Sequence, residues 1–300
     1  MSSPPNGLQE NVALSRFTTL GTGGPARWFA APESVEELAT LLAWAVDGHI
    51  PVAAIGLGSN LLVADDGFYG LVLKLTGGLA KAETSDSLLA AGGGAPLAVC
   101  LHRARAAALG GLEFACAIPG TVGGAVWMNA GAYGGDMAGV LERALVVDRA
   151  GASWRTPPEL GLEYRRSRLE PGQVVARAEF RLEPRPVEEI KATVTEMQAR
   201  RKAAQPTNRR TFGSVFKNPA HELTAGQLLE ACGLRGHAHG GARISPKHAN
   251  FIENDGDARS ADAVALIAEA RRRALERFGV RLETEVQLLG KIEIPPLHAA

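Results

Sequence analysis

The sequence predicts an α+β protein: a small α/β region in two parts, followed by a more helical C-terminal domain. Three observations carry this reading. Short apolar runs bounded by glycine alternate with amphipathic helical segments through the first part of the chain. Glycine gathers at 21–24, 56–58, 92–94, 120–124 and 131–135. After Glu183-Pro-Arg-Pro186 the texture changes to longer, charged helices, and two prolines there stop regular structure.

The chain has 300 residues, more than one ordinary core holds. The expected division is 12–78, 79–185 and 186–300. A hydrophobic content of 46% with 21% charged residues places the chain among globular proteins. Lys+Arg and Asp+Glu are both 32, so the general basic surface that nucleic acid or an anionic membrane requires is absent. Met1 to Gly7 reads as a short disordered tail, not as a signal peptide. No apolar run reaches membrane-spanning length, so no membrane insertion is expected. Cys100, Cys116 and Cys232 are odd in number and widely spaced, which argues against a disulfide framework and for a reducing cytoplasm.

Ser34 and Glu37 form a capping box ahead of Leu38, Leu41, Leu42 and Ala45, and Gly48 ends that helix. Ile50–Ile55 reads as a buried strand running into Gly56-Leu-Gly58-Ser-Asn60. Leu61–Val63 and Leu71–Leu75 read as further strands. A helix is expected over Pro96–Leu109, stopped by Gly110-Gly111. Ala144–Asp148 and Ser153–Arg155 form a hairpin about Arg149-Ala-Gly151, and Gln173–Leu182 alternates as a strand. Glu183–Pro186 is read as a linker. Three helices follow: Val187–Ala204, Thr224–Cys232 stopped by Gly233, and Ser260–Phe278 capped by Ser260 and stopped by Gly279. Arg281–Leu289 closes as a strand.

Gly21-Thr-Gly23-Gly-Pro-Ala26 fits a dinucleotide fingerprint in letters only. The residues that follow read as strand and turn, whereas a Rossmann loop needs a helix N-terminus there. The stronger candidates are two other loops. Gly56, Gly58, Ser59 and Asn60 follow a strand and offer bare amides and side-chain donors. The second loop holds Pro119, Gly120, Thr121, Gly123 and Gly124, followed by Asn129, Gly131, Ala132 and Tyr133. Together they point to a phosphate-bearing cofactor.

Read in order, the loops resemble the FAD-binding domain of the vanillyl-alcohol-oxidase-like (PCMH-type) flavoproteins. More narrowly, the chain is similar to the MurB family of bacterial cell-wall synthesis over roughly residues 12 to 290. The matching segments are Gly-Thr-Gly-Gly-Pro-Ala at 21–26, Gly-Leu-Gly-Ser-Asn-Leu-Leu at 56–62 and Ile-Pro-Gly-Thr-Val-Gly-Gly at 118–124. Asn-Ala-Gly-Ala-Tyr-Gly at 129–134, Tyr-Arg-Arg-Ser at 164–167 and Gly-Ser-Val-Phe-Lys-Asn-Pro at 213–219 continue the series. It closes with Lys-His-Ala-Asn-Phe-Ile at 247–252 and Leu-Glu-Thr-Glu-Val at 282–286. Two departures matter. Thr18 stands where the family commonly has Asn before Thr19. The interval from Arg165 to Ser214 holds no tyrosine, which places the chain with the shorter branch that lacks a tyrosine-bearing substrate loop.

The resemblance implies an α+β fold with a two-part FAD-binding domain and a C-terminal substrate-binding domain. It implies NADPH-dependent reduction of UDP-N-acetylglucosamine enolpyruvate to UDP-N-acetylmuramate through non-covalently bound FAD. Arg165 matches the arginine that meets the substrate carboxylate, a use suited to a permanently charged two-pronged donor. Ser214 matches the proton donor; the rival reading, a nucleophilic serine, lacks the glycine two residues on that a nucleophile elbow needs. Glu285 either polarises the intermediate together with Arg165 or relays protons. Lys217 and Asn218, with Lys202 and Asn250 behind them, are candidates for the UDP-sugar. Arg166 is expected to point away from Arg165, as neighbours on a strand do. His237 and His239 have strand spacing for two ligands, but no carboxylate completes a metal site and none is expected. A monomer is expected.

Two other classes remain open at this point. A sugar or alcohol oxidase of the same superfamily would often tether flavin to a histidine in the first loop, where this chain has Ser59-Asn60. An electron-transfer subunit would not need the Gly-Ser-Val-Phe-Lys-Asn-Pro segment.

Overall fold

A computed structural model describes residues 4–297, so Met1–Ser3 of the expected tail lie outside the described residues. The chain forms two compact units. One comprises residues 1–11, 27–57 and 69–201, and the other 12–26, 58–68 and 202–300. Each unit draws on segments distant in sequence, a division different from the linear one at 78 and 185. The mixture of helices and sheets agrees with the expected α+β class.

The first unit is organised on a five-stranded antiparallel sheet. Its spatial order is Gly151–Arg155, Leu141–Asp148, Val174–Arg181, Leu88–Gly92, Ala82–Ser85. Strict alternation would bury one face only. Here the pairing slips between Leu145/Arg177 and Val146/Val175, so Ala176 is an extra residue on its strand. The slip inverts the phase. Val174 and Ala176 join a core with the helix Val35–Asp47, whereas Ala178 and Phe180 join a core with the helix Leu97–Ala106.

The helix Val35–Asp47 forms where expected. Ser34 accepts from the Glu37 amide at 3.2 Å, and the Glu37 carboxylate accepts from the Glu33 amide at 2.8 Å, one residue before the reciprocal partner a standard capping box uses. The helix expected over Pro96–Leu109 ends at Ala106, because Leu109–Gly110 pairs with Glu183–Pro184. The expected linker at 183–186 thus begins as a short strand. Pro184 is tolerated because the pair is only two residues long and the strand is an edge. The strand expected over Ile50–Ile55 shortens to Val52–Ala54, which runs parallel to Leu71–Leu73. Pro25–Ala30 is a strand, so the 21–26 glycines do not open a helix and the dinucleotide reading fails.

The second unit packs a four-stranded antiparallel sheet, in the order Thr211–Ser214, Phe251–Asn254, Ala242–Ile244, Ala238–His239, with the helices Ala225–Ala231 and Ser260–Phe278. Phe212, Val215, Phe216, Leu228, Ile252 and Leu266 fill its core together with Leu20 and Leu62. The strand expected over Arg281–Leu289 is regular only at Gln287–Leu289, which runs parallel to Leu61–Val63. This pairing joins the 58–68 segment to the C-terminal region.

The long helix is capped differently from expectation. Ser260 is its first helical residue, and its hydroxyl lies buried, donating to Thr22 Oγ1 at 2.9 Å. Asp65 supplies the cap from far away in sequence. Its carboxylate accepts from the Ser260 and Ala261 amides at 2.8 and 3.0 Å, where an anion also meets the positive end of the helix dipole. Asp65→Ala should therefore cost about 1 kcal/mol of stability, with Asp65→Asn costing less. Urea unfolding of the two variants tests this, and an unchanged midpoint for the alanine variant would remove Asp65 from the capping role.

Candidate functional site

In the first unit the second glycine loop is laced onto a preceding one. The Leu97 amide donates to Gly120 O at 2.9 Å, Val122 N donates to Ala95 O at 2.9 Å, and Gly123 N donates to Gly93 O at 2.7 Å. Two amides expected to face a ligand are thus spent on backbone carbonyls. Part of the expected loop is a short helix, Val122–Trp127, with Thr121 at its N-cap position. Thr121 is nonetheless placed against the first loop. A Cβ built on Gly56 would sit 2.4 Å from its Oγ1, so only glycine lets the two segments approach. At Gly123 a Cβ would lie 3.0 Å from Gly93 O. Backbone with no room for side chains is the form a cradle for a flat or phosphorylated cofactor takes, and these residues fit one.

Lys74 is the member of this cluster that sequence reasoning missed. Its ammonium donates to Gly56 O at 2.9 Å, and half-burial holds its pKa below the ordinary lysine value. No sequence pattern announces it, because it lies at the end of a strand and reaches the loop only through the parallel pairing of Val52–Ala54 with Leu71–Leu73.

Asn129, Gly131, Ala132 and Tyr133 form a tight turn. Asn129 and Tyr133 hold positive φ angles of 40° and 51°. The Asn129 side chain is buried and engaged internally. Its Nδ2 donates to Asp136 Oδ2 at 3.2 Å and Glu163 O at 3.0 Å, and its Oδ1 accepts from Ala138 N at 2.9 Å. It fixes the turn against the segment that carries Arg165.

Arg165 does not lie on a strand. Glu163 and Arg166 exchange backbone hydrogen bonds at 2.9 and 3.1 Å, leaving Tyr164 and Arg165 at the centre of a tight turn, with Arg165 at φ 54°. The expected strand alternation between Arg165 and Arg166 is therefore replaced by turn geometry. The Arg165 guanidinium donates to Gly131 O at 2.5 Å and stands 5.0 Å from the Tyr164 ring centroid. Arg166 points to solvent and pairs with Glu163 at 3.6 Å, with both side chains more than half exposed, a contact of small energetic value. Left-handed backbone at a non-glycine residue costs of order 1 kcal/mol or more and concentrates at functional sites.

In the second unit Ser214 ends a strand and is half-buried. The next residue, Val215, accepts from the Glu285 amide at 2.8 Å, and Lys217 N donates to Glu283 O at 3.0 Å. The Glu285 carbonyl in turn accepts from Asn60 Nδ2 at 3.2 Å, while Gln287 N donates to Asn60 O at 3.1 Å. Ser214, Glu285 and Asn60 are thus brought together by one continuous backbone ladder. Leu282 and Val286 are buried and Glu283 is exposed, as the alternation expects, whereas Thr284 and Glu285 are both half-buried and the segment is not a regular strand there. The Thr19 amide donates to Gly58 O at 3.1 Å, and its hydroxyl donates to Thr211 O at 2.7 Å, tying the glycine turn to the strand of Ser214.

The Lys217 ammonium is mostly buried and sits 2.6 Å from the exposed Glu283 carboxylate. Asn218 Oδ1 accepts from Ala225 N at 3.1 Å, at the start of the helix Ala225–Ala231. Asn250 is buried, and its amide faces the Phe216 backbone. Lys202 is exposed, and its carbonyl accepts from Lys247 Nζ at 2.5 Å. Among the described residues no group of three or more His, Cys, Asp or Glu could hold a metal. The Cys100 thiol is pushed up to about 12 by burial, which rules it out as a nucleophile at neutral pH.

Comparison with known proteins decides the family. Residues 26–156 match the family model described as FAD binding domain, and residues 205–289 match that of the UDP-N-acetylenolpyruvoylglucosamine reductase C-terminal domain. The UDP-N-acetylenolpyruvoylglucosamine reductase of Anaeromyxobacter dehalogenans (strain 2CP-C) is 46% identical over 95% of this chain and 86% of its own length. The chain belongs to the UDP-N-acetylenolpyruvoylglucosamine reductase family. The Sphingopyxis alaskensis reductase is also 46% identical, over 95% of this chain and 96% of its own. The crystal structure of the Thermus caldophilus family member superposes with a TM-score of 0.82 at 39% identity, covering 94% of this chain and all of that one. The α+β fold with an FAD-binding domain and a C-terminal domain is that of this family. No helix among the described residues is long and apolar enough to cross a membrane.

If Lys74 supports the glycine turn, Lys74→Met should lower the fraction of purified protein that retains FAD, and Lys74→Arg should retain more of it. Flavin-to-protein absorbance ratios after gel filtration give the reading. Equal flavin content in all three proteins would contradict the role.

Proposed function

We infer that this chain catalyses the NADPH-dependent reduction of UDP-N-acetylglucosamine enolpyruvate to UDP-N-acetylmuramate, the UDP-N-acetylmuramate dehydrogenase reaction of peptidoglycan precursor synthesis. Family membership along almost the whole chain supports the activity. The observation that carries the assignment of residues is the ladder that sets Ser214 beside Glu285 through Val215 O and Glu285 N.

FAD, when bound, supplies the hydride chemistry between the nicotinamide and the substrate. Gly56, Gly58, Ser59 and Asn60, with Pro119 to Gly124 and Asn129 to Tyr133, are the residues we assign to holding it. The protein must then meet the negative charge that grows on the substrate carboxylate. Arg165 is suited to that task, because its charge is permanent and its fork matches a carboxylate. Its turn is held by Gly131 O and by the Glu163–Arg166 pairing, so little reorientation is needed when charge develops. Ser214 Oγ delivers the proton to the α-carbon, a transfer that is feasible because an enolate-like carbon is a far stronger base than water. We assign Glu285 to polarising the intermediate or to returning a proton to the serine. Lys217, Asn218 and Lys202 are assigned to the UDP-sugar, with a cation for its diphosphate.

The reading extends to a cytoplasmic monomer, in keeping with a nucleotide-sugar substrate. Light scattering of the purified protein at micromolar concentration should give the mass of one chain, and a dimer mass would overturn that part.

Ser214→Ala tests the central assignment. NADPH should bleach its flavin at close to the normal rate, while reoxidation by the enolpyruvyl UDP-sugar falls by about a hundredfold or more, the usual scale for a lost general acid. Normal reoxidation would remove Ser214 from proton transfer. Arg165→Lys keeps the charge and loses the fork, so it should slow the same phase and leave the first intact.

A further inference from the structure

Asn250 stands in the Lys-His-Ala-Asn segment, whose motif suggests a ligand for the UDP-sugar. Its geometry points elsewhere. The residue is 4% exposed. Its Oδ1 accepts from Phe216 N at 2.9 Å and its Nδ2 donates to Phe216 O at 2.8 Å. A primary amide thus grips one residue's backbone with both of its functional groups. Its own carbonyl accepts from Val215 N at 2.9 Å, and its amide donates to His248 Nδ1 at 3.2 Å. His248 is itself fixed by edge-on contact with Phe251 at 4.9 Å and by Gly226, where a Cβ would meet the imidazole at 2.7 Å.

The other side of the same stretch is held by the 283–286 segment, through Val215 O with Glu285 N and Lys217 N with Glu283 O. Ser214 and Lys217 flank the gripped residues directly. Both Phe216 backbone polar groups face the Asn250 side-chain amide in the core, where Phe216 is 2% exposed.

We propose that Asn250 is a positioning residue for the proposed reduction: by clamping the Phe216 backbone it fixes Ser214 Oγ at the distance proton delivery needs, without touching the substrate. The inference rests on the assignment of Ser214 as proton donor. Oriented groups lose rate steeply with small displacements, so the clamp should appear in the proton-transfer phase and not in the phase before it.

Asn250→Asp is the informative variant, studied in the full-length FAD-bound protein. A carboxylate can accept from Phe216 N but cannot donate to Phe216 O, and it presents an oxygen to a carbonyl oxygen. The protonated acid restores one donor and one acceptor in nearly the amide's shape. Flavin bleaching by NADPH and flavin content should stay within about twofold of the parent, whereas reoxidation by the enolpyruvyl UDP-sugar should fall about tenfold or more at neutral pH, the scale of one lost buried hydrogen bond. The loss should reverse as pH falls through the titration of the buried acid, since protonation is what rebuilds the clamp. The solvent deuterium isotope effect on reoxidation should rise.

Unchanged reoxidation overturns the proposal. So does a raised KM for the UDP-sugar with an unchanged limiting rate, which would make Asn250 a substrate ligand, and so does a parallel fall of both phases with flavin content. If Asn250→Asp does not yield folded protein, Asn250→Ser is read by the same two phases and the same outcomes. Ser214→Ala is run alongside. Normal reoxidation there defeats the proton-donor reading, whereas a block in Ser214→Ala with none in Asn250→Asp defeats only the clamp.

Discussion

Val215 and Phe216 carry their backbone through the hydrophobic interior of the second unit, where an unmade hydrogen bond costs roughly 1–3 kcal/mol. All four of their backbone polar groups find partners: Val215 N with Asn250 O, Val215 O with Glu285 N, and Phe216 N and O with the Asn250 side chain. The need to satisfy those groups decides where Ser214, Lys217 and Glu285 lie. A serine hydroxyl has no special reactivity of its own. It becomes a proton donor only when its backbone is fixed to within a fraction of an ångström of a strongly basic carbon. Under the proposed assignment of Ser214 as proton donor, the ladder would do that with groups that had to be paired in any case, and stability and chemistry would draw on the same hydrogen bonds.

The first unit meets a different constraint, the close approach of backbone to backbone. A Cβ on Gly56 would clash with the Thr121 side chain at 2.4 Å, and one on Gly123 would press on Gly93 O at 3.0 Å. Lys74 then satisfies the Gly56 carbonyl and brings a cation into the cluster. The same unit tolerates left-handed backbone at Asn129, Tyr133 and Arg165. Two of these are over-determined locally: Asn129 by three side-chain hydrogen bonds, and Arg165 by the turn closed between Glu163 and Arg166. A residue that must meet developing charge gains from being held this way, since preorganisation removes motion from the reactive event.

Several elements set by near neighbours were legible, though not the helix Val122–Trp127 or the Glu163–Arg166 turn. The helix Val35–Asp47 follows from Ser34 and Gly48, and Val187–Ala204 from its composition and the prolines before it. The residues proposed for the site were singled out by motifs that follow one another in one order along the chain. What was not legible depends on pairing between distant segments. Leu61–Val63 finds Gln287–Leu289, which makes the second unit discontinuous in sequence. Asp65 caps a helix that begins at Ser260, and local letters pointed to Ser260 instead. Arg165 reads as strand until the Glu163–Arg166 closure is known. Asn250 illustrates the limit most sharply. A polar residue in a family motif looks like a ligand, and only its burial and its two bonds to Phe216 show that its hydrogen-bonding capacity is turned inward.

The central claim is that this chain couples nicotinamide oxidation to reduction of an enolpyruvyl ether on a UDP-sugar through one bound flavin. An anaerobic two-step titration tests it most directly. The purified protein is first given one equivalent of NADPH, then one equivalent of UDP-N-acetylglucosamine enolpyruvate, with flavin absorbance followed throughout and the nucleotide sugar analysed at the end. The oxidised flavin band should be lost in the first step and return fully in the second, with one equivalent of UDP-N-acetylmuramate formed. A flavin that stays reduced after the UDP-sugar is added, or returns without forming that product, would contradict it.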